Sequence, residues 1–347
     1  MNRLIFKKHL LAIALLLLCG VSAQAADDDL ITQQITIKLD KAGTLPDRIG
    51  SSKKYKITNL KIIGEINGTD WCLIRQMAGS DYEGAPGVLE SLDLSDAKIV
   101  RGGDLYLNNY QTSNDVLGPY AFFNCSNLTS LILPSNISSI REGAFRNCSG
   151  LTTIALPSNI TKIDKFVFED CSNLTSLEIP TKVTIIDYGA FLNCRALSSL
   201  LIPSSIYSIG YMAFNGCSSL TNLSIPSSVT SIKDGAFANC DNLSSIYVSW
   251  ETPLLIPYSV FDNKTKTECL LYVPKGSLVS YLLADVWGDF KKNIVEYDAT
   301  KVDNSVVDKE IKEVARYTAN GQRLDTPTKG LNIVRYSDGS VRKELHN

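Results

Sequence analysis

The chain has 347 residues and only two histidines, His9 and His346, so no imidazole is available anywhere in the body between them. A Ser-His-Asp or Cys-His nucleophile and a histidine-ligated zinc site all need that ring, and the composition excludes them. The phosphate-binding pattern G-x-x-x-x-G-K-[ST], the dinucleotide pattern G-x-G-x-x-G and the metalloprotease pattern H-E-x-x-H are likewise missing. Paired carboxylates remain, and Glu169-Asp170 could in principle exchange protons with a substrate. Their place after Phe168, where the equivalent pairs are Arg146-Asn147, Leu192-Asn193 and Asn215-Gly216, predicts a solvated turn instead. Cysteine is the last candidate. Cys148, Cys171, Cys194, Cys217 and Cys240 recur every 23 residues; metal-binding thiolates must converge on one point, whereas these are strung along a line. The reading is a non-enzyme with no cofactor and no metal.

That spacing belongs to a larger pattern. Five consecutive stretches from Leu128, Leu151, Leu174, Leu197 and Leu220 follow L-x-x-[LI]-x-[LI]-P-x-x-[IV]-x-x-I-x-x-x-[AV]-F-x-x-C-x-x without a gap. A fixed period of this size signals a solenoid, because each coil is too short to bury its own apolar face and must stack on neighbours. The expected fold class is α/β and β-rich: a right-handed leucine-rich-repeat solenoid with 23-residue coils, plus a small C-terminal β module. L-x-x-L-x-[LI] reads as a strand in each coil, ended by a proline that lacks the amide hydrogen. Phe145, Phe168, Phe191, Phe214 and Phe237 form one interior column and the cysteines another. Adjacent coils lie roughly 4.7–4.9 Å apart, wider than the β-carbon separation of about 3.8 Å that a disulfide wants. The column cysteines are therefore expected as small buried thiols; Cys125 extends their column, while Cys72 and Cys269 fall in irregular end coils.

The pattern weakens toward both ends. Upstream, Leu89 to Leu94 and, more loosely, Ile57 to Ile62 match the strand segment, with room for a helical stretch around Asp70 to Met77 and an insertion from Arg101 to Gly118. Downstream, Leu271-Tyr272-Val273-Pro274 is the last strand segment, giving nine coils, and Leu278, Tyr281, Leu282, Trp287 and Phe290 are available to close the core. The expected organisation is a signal peptide over 1–25, an N-terminal capping region with a degenerate repeat over 26–88, the solenoid and its C-terminal cap over 89–296, a linker over 297–312 and a small β module over 313–347. In that module Asn320-Gly321 and Asp338-Gly339 are hairpin turn signals.

Arg3, Lys7 and Lys8 precede the apolar run Leu10 to Leu18, and Ala23-Gln24-Ala25 supplies a cleavage site. This is the layout of a secretory signal, and the run is too short to span a bilayer. Cys19 offers a competing lipoprotein reading, so the exported chain is placed at the cell surface or outside the cell, with an outer-membrane anchor as the alternative. Cleavage removes three basic residues and no acid, taking the net charge from −2 to −5 and arguing against nucleic acid as a partner.

The repeat, with its L-P-x-x-I-x-x-I-x-x-x-A-F-x-x-C core, closely resembles the BspA-like class of leucine-rich repeats, found mainly in surface and secreted proteins of Bacteroidetes, spirochaetes and some protists. The resemblance covers roughly Leu89 to Glu296. It implies an extracellular, non-catalytic binding protein, whose better-known relatives adhere to host matrix proteins and to other bacteria. Tyr317 to Gln322 and Gly330 to Val334 resemble the end of the sorting domains of the type IX secretion system, here without a first strand pair.

Binding would use exposed columns. On the strand face Ile132, Ala155, Glu178, Leu201, Ser224 and Tyr247 are expected to point outward beside Ser130, Thr153, Ser176, Ser199, Asn222 and Ser245, a hydroxyl-rich ribbon. Ser176, Glu178, Ser199, Leu201, Asn222 and Tyr247 are the candidate partner-binding residues there, although Ser and Thr also simply suit strand positions. A second candidate is aromatic: Tyr188 and Tyr211 hold one position in neighbouring coils, where Glu142, Lys165 and Asp234 stand elsewhere, and Tyr207 is near in sequence. Adjacent exposed rings can bind a sugar or a protein hot spot. The insertion, with Tyr106 and Tyr110, could also reach a ligand. The partner is expected to be a host or microbial surface protein or, as the alternative, a glycan captured for polysaccharide use; the oligomeric state is not legible.

Overall fold

The computed structural model describes residues 29–79, 87–107, 109–298 and 326, together with the strands at 313–318, 323–324, 330–336 and 341–346. The signal segment, Cys19 and most of the 297–312 stretch lie outside the described residues. Two compact units divide at Glu296 and Tyr297.

The first unit is a stack of parallel rungs. Ile35–Lys38, Asn59–Ile66, Ser91–Asp93 and Ser130–Ile132 pair in order, with Ile35, Leu60, Leu92 and Leu131 in register. Ile35–Lys38 is a further rung before the nine coils counted from the sequence. Its segment, I-T-I-K-L, carries the alternation without the rest of the repeat. The repeat's expected strand is formed in full near the ends, at Asn222–Ile225, Ser245–Val248 and Leu270–Pro274, but in the central coils it shrinks to single bridges, Thr153 to Ser176, Ser176 to Ser199 and Leu201 to Ser224. The regular central ladder lies instead across the I-x-x-I pairs, at 162–163, 185–186, 208–209 and 231–232. Prolines explain part of this: Pro157, Pro180 and Pro203 remove a ladder donor just where each strand segment would continue.

Side chains make the turn side far more ordered. Phe122, Phe145, Phe168, Phe191, Phe214, Phe237 and Phe261 form one buried column with neighbouring rings 5.0–5.8 Å apart and within 15° of parallel. The column cysteines are buried and unpaired, as the coil spacing requires. Each thiol donates to the carbonyl of the phenylalanine one coil back: Cys148 to Phe122, Cys171 to Phe145, Cys194 to Phe168, Cys217 to Phe191 and Cys240 to Phe214, at 3.0–3.4 Å. That carbonyl also accepts the amide of its own coil's cysteine, so both its lone pairs are satisfied in a dry interior. One residue before each cysteine the chain turns with positive φ, and Asn124, Asn147, Asp170, Asn193 and Asn239 occupy that position at 57–62°. Asn and Asp tolerate this left-handed conformation better than other side chains.

A second positive-φ position, two residues before each phenylalanine, alternates large with small: Tyr120, Gly143, Phe166, Gly189, Met212, Gly235. A β-carbon on Gly143 would come 2.3 Å from the Tyr120 ring, and one on Gly189 would come 2.8 Å from the Phe166 ring. Each large side chain thus lies over the glycine of the next coil, a two-coil superperiod within the 23-residue repeat.

The turn-side ladder also dictates its caps. Each phenylalanine N–H donates to a carbonyl of the following coil, from Phe122 to Ala144 through Phe237 to Val260. The carbonyl of Ala121 therefore has no earlier coil to satisfy it. Helix Gly68–Met77 supplies the donors: Trp71 Nε1 reaches Ala121 O at 2.9 Å, and Arg75 Nη1 reaches Ala121 O at 2.8 Å and Tyr120 O at 2.7 Å. Asp70, wholly buried, fixes the helix start by accepting from Gly43 N, Asn67 N and Leu45 N. At the far end the phenylalanine column runs onto Trp287 and Phe290, whose rings lie 5.9 Å from Phe261. Tyr281 is also buried and donates to Trp250 O, whereas Leu282, expected in the cap, is 44% exposed.

The second unit is an antiparallel sheet in the order Arg323–Leu324, Glu313–Thr318, Gly330–Tyr336, Val341–His346. The strands on either side of Asn320-Gly321 and of Asp338-Gly339 pair antiparallel, as those turn signals predict.

Candidate functional site

On the strand side two columns face outward. Leu201, Ser224, Tyr247 and Tyr272 stand in register on successive rungs, as do Thr153, Ser176 and Ser199. Leu201 is 58% exposed, Glu178, Ser199 and Asn222 are exposed, and Ser176 and Tyr247 are half-buried. Asn222 and Ser245 are neighbours across a rung, with the Ser245 hydroxyl donating to the Asn222 side-chain oxygen. Tyr247 and Tyr272 stack face to face, 4.3 Å between centroids and 4° from parallel. Tyr272 was not among the sequence candidates, although Ile246-Tyr247-Val248 and Leu271-Tyr272-Val273 repeat the same three-residue pattern. The hydroxyls one position earlier have a structural use: those of Thr175, Ser198 and Ser244 donate to the carbonyls of Thr152, Thr175 and Thr221 in the preceding coil.

On the turn side the expected aromatic patch is only partly assembled. Tyr188 and Tyr211 are neighbours at 6.4 Å, but their planes are tilted by 51°, so they offer no flat platform. Tyr188 is half-buried, packed edge-on against Phe166 at 4.8 Å, and Tyr211 is 48% exposed. Tyr207, 47% exposed, immediately precedes the Ser208–Ile209 rung of the I-x-x-I ladder, with its N–H donating to Thr184 O, and among the described residues no ring contact ties it to the other two. The insertion is no free arm. It folds as a hairpin, Gly102–Tyr106 with Tyr110–Thr112, against the capping helix, and buries Tyr106, whose phenol is pushed well above its usual pKa by burial. Tyr110 continues the ring contacts to Tyr120, raised to about 12 by burial and then by its hydrogen bond to Glu142.

Glu169 overturns the solvated-turn expectation. It is 8% exposed and pairs with Arg146, Nε to Oε2 at 2.6 Å. The Arg146 guanidinium in turn sits 5.9 Å from the Phe123 ring and 5.7 Å from the Phe166 ring. Burial raises the Glu169 pKa against the opposing pull of Arg146. The carboxylate is therefore paired with a cation 23 residues upstream. The column thiols are also chemically quiet, since burial lifts all of them, Cys240 to about 12, far from the thiolate needed for reactivity. Among the described residues no group of three His, Cys, Asp or Glu side chains could hold a metal, and no helix is long and apolar enough to cross a membrane.

Residues 108–220 and 184–272 match the family described as BspA type leucine rich repeat region, in six copies. No curated protein matches the chain. Among solved structures, a T. pallidum leucine-rich repeat protein is 32% identical over 34% of this chain and 58% of its own, with a TM-score of 0.33. A leucine-rich repeat protein from Bacteroides ovatus is 20% identical over 69% of this chain and 63% of its own, with a TM-score of 0.42. A leucine-rich cell surface protein from Faecalibacterium prausnitzii is 19% identical over 71% and 85%, with a TM-score of 0.31. The chain spans less than two thirds of the length of the first two of these proteins. Residues 108–272 match the model of BspA-type leucine-rich repeats, and the fold is a leucine-rich-repeat fold.

Proposed function

We propose that this chain is an exported, non-catalytic binding protein that works at the cell surface or outside the cell, holding a host or microbial surface protein on the strand face between Ser176 and Tyr247. The observation that carries this reading is the outward column of Leu201, Ser224 and Tyr247, set in register on a scaffold whose column thiols are buried. Tyr247, of the residue type enriched at protein interfaces and their hot spots, lies in this column with the exposed Leu201 and a polar surround of serine and asparagine. The C-terminal unit is proposed to serve sorting or anchoring.

The test is to offer the purified full chain in parallel to immobilised extracellular-matrix proteins and to a glycan array. Saturable protein binding that is lost in Leu201→Asp supports the strand face. Saturable glycan binding lost in Tyr188→Ala and Tyr211→Ala, with no protein captured, would overturn the reading in favour of a polysaccharide-capture role.

A further inference from the structure

Tyr211, Asp234 and Tyr258 hold one position, three residues before Phe214, Phe237 and Phe261, in three consecutive coils. A carboxylate thus stands on the rung between two tyrosines, and both tyrosines are well exposed, Tyr211 at 48% and Tyr258 at 64%. The next residue on that middle rung is Gly235, over which the Met212 side chain of the preceding coil lies. We propose that Tyr211, Asp234 and Tyr258 form a slot for the guanidinium or ammonium group of a basic side chain on a protein partner, an inference that rests on the protein-binding reading above and adds to it a second contact on the turn side.

Three observations carry it. The first is charge: one Asp234 oxygen accepts from the Ser259 hydroxyl at 2.9 Å, and no basic side chain pairs with the carboxylate among the described residues. The second is size. Coils repeat at about 4.8 Å, so positions two coils apart leave roughly 9–10 Å between them, room for a planar cation. The third is precedent within the same chain. Phe123 and Phe166 also come from coils two apart, Arg146 lies between them at 5.9 and 5.7 Å, and the Glu169 carboxylate neutralises it. Rings and carboxylate recur at Tyr211, Asp234 and Tyr258, but there the middle coil contributes the acid and the cation must come from outside. Tyr258 already shows such an affinity within the chain, where Lys266 Nζ stands 3.3 Å from its ring centroid.

The experiment follows the ring resonances of Tyr211 and Tyr258 in the tyrosine-labelled full chain during titration with acetyl-Gly-Arg-Gly-amide, its lysine analogue, its citrulline analogue and methyl glucoside. Saturable shifts of both tyrosines with the arginine and lysine peptides are expected, weakened at least about fivefold for uncharged citrulline. Asp234→Asn keeps an acceptor for Ser259, so it should leave the spectrum folded while weakening the cationic peptides by a similar factor; Tyr258→Leu should do the same. Equal shifts with arginine and citrulline, an Asp234→Asn affinity equal to the parent, or saturation by methyl glucoside alone would each overturn the slot. Because the probes are free peptides, the slot can fail while matrix-protein capture succeeds, and the reverse.

Discussion

The two long sides of the solenoid are built from the same 23 residues and differ sharply in order. On the turn side five consecutive coils, from Phe145 to Phe237, repeat a buried phenylalanine, a thiol donating to the coil before it and a left-handed Asn, Asp or Gly. On the strand side the central coils hold together through single bridges and hydroxyl-to-carbonyl bonds. The difference teaches that rigidity and contact are divided between faces. Columns that bury their side chains fix the stack, and the face relieved of that duty can vary from Glu178 to Leu201 to Ser224 without disturbing it.

Substitution should therefore be costly on one side and cheap on the other. Phe191→Ala removes a ring stacked on both neighbours and should cost about 3–5 kcal/mol, read by denaturant unfolding; a cost like that of a surface site would break the comparison. Gly189→Val meets both the positive φ of 57° and the Phe166 ring, and a loss of about 2–4 kcal/mol is expected in the same assay.

Glu169 sharpens the comparison through pH. Its folded-state pKa is raised, so between its ordinary carboxylate value and that raised value the folded chain holds a proton the unfolded chain has released. Its contribution thus makes stability fall as pH rises through that window, and Glu169→Gln should flatten the slope measured by thermal unfolding across acid pH. The smallest effect belongs to the strand side. Leu201→Asp should change stability by less than about 0.5 kcal/mol while abolishing partner capture.

Much of this was legible because the repeat writes its burial pattern into consecutive residues. The phenylalanine and cysteine columns, the helix near Asp70 and the aromatic closure at Trp287 all follow from spacing alone. What escaped were relations between coils. Glu169 reads as solvated until Arg146 is placed beside it across a coil boundary, and Tyr106 reads as a reaching side chain until the hairpin folds back onto the cap. The alternation of Tyr120, Gly143, Phe166, Gly189, Met212 and Gly235 is visible in sequence only at twice the repeat length. The central strands were over-read, because a local L-x-x-L-x-[LI] pattern reports which side chains point inward, not whether the backbone completes its ladder.

Thiol labelling of the full chain without reductant, with each site identified by peptide mass, tests the in-register stack most directly. Stacking as described here requires Cys125, Cys148, Cys171, Cys194, Cys217 and Cys240 to resist labelling in the native protein and all to label after denaturation. Rapid labelling of the native column, or sites that stay unlabelled in denaturant because they are bridged, would contradict it.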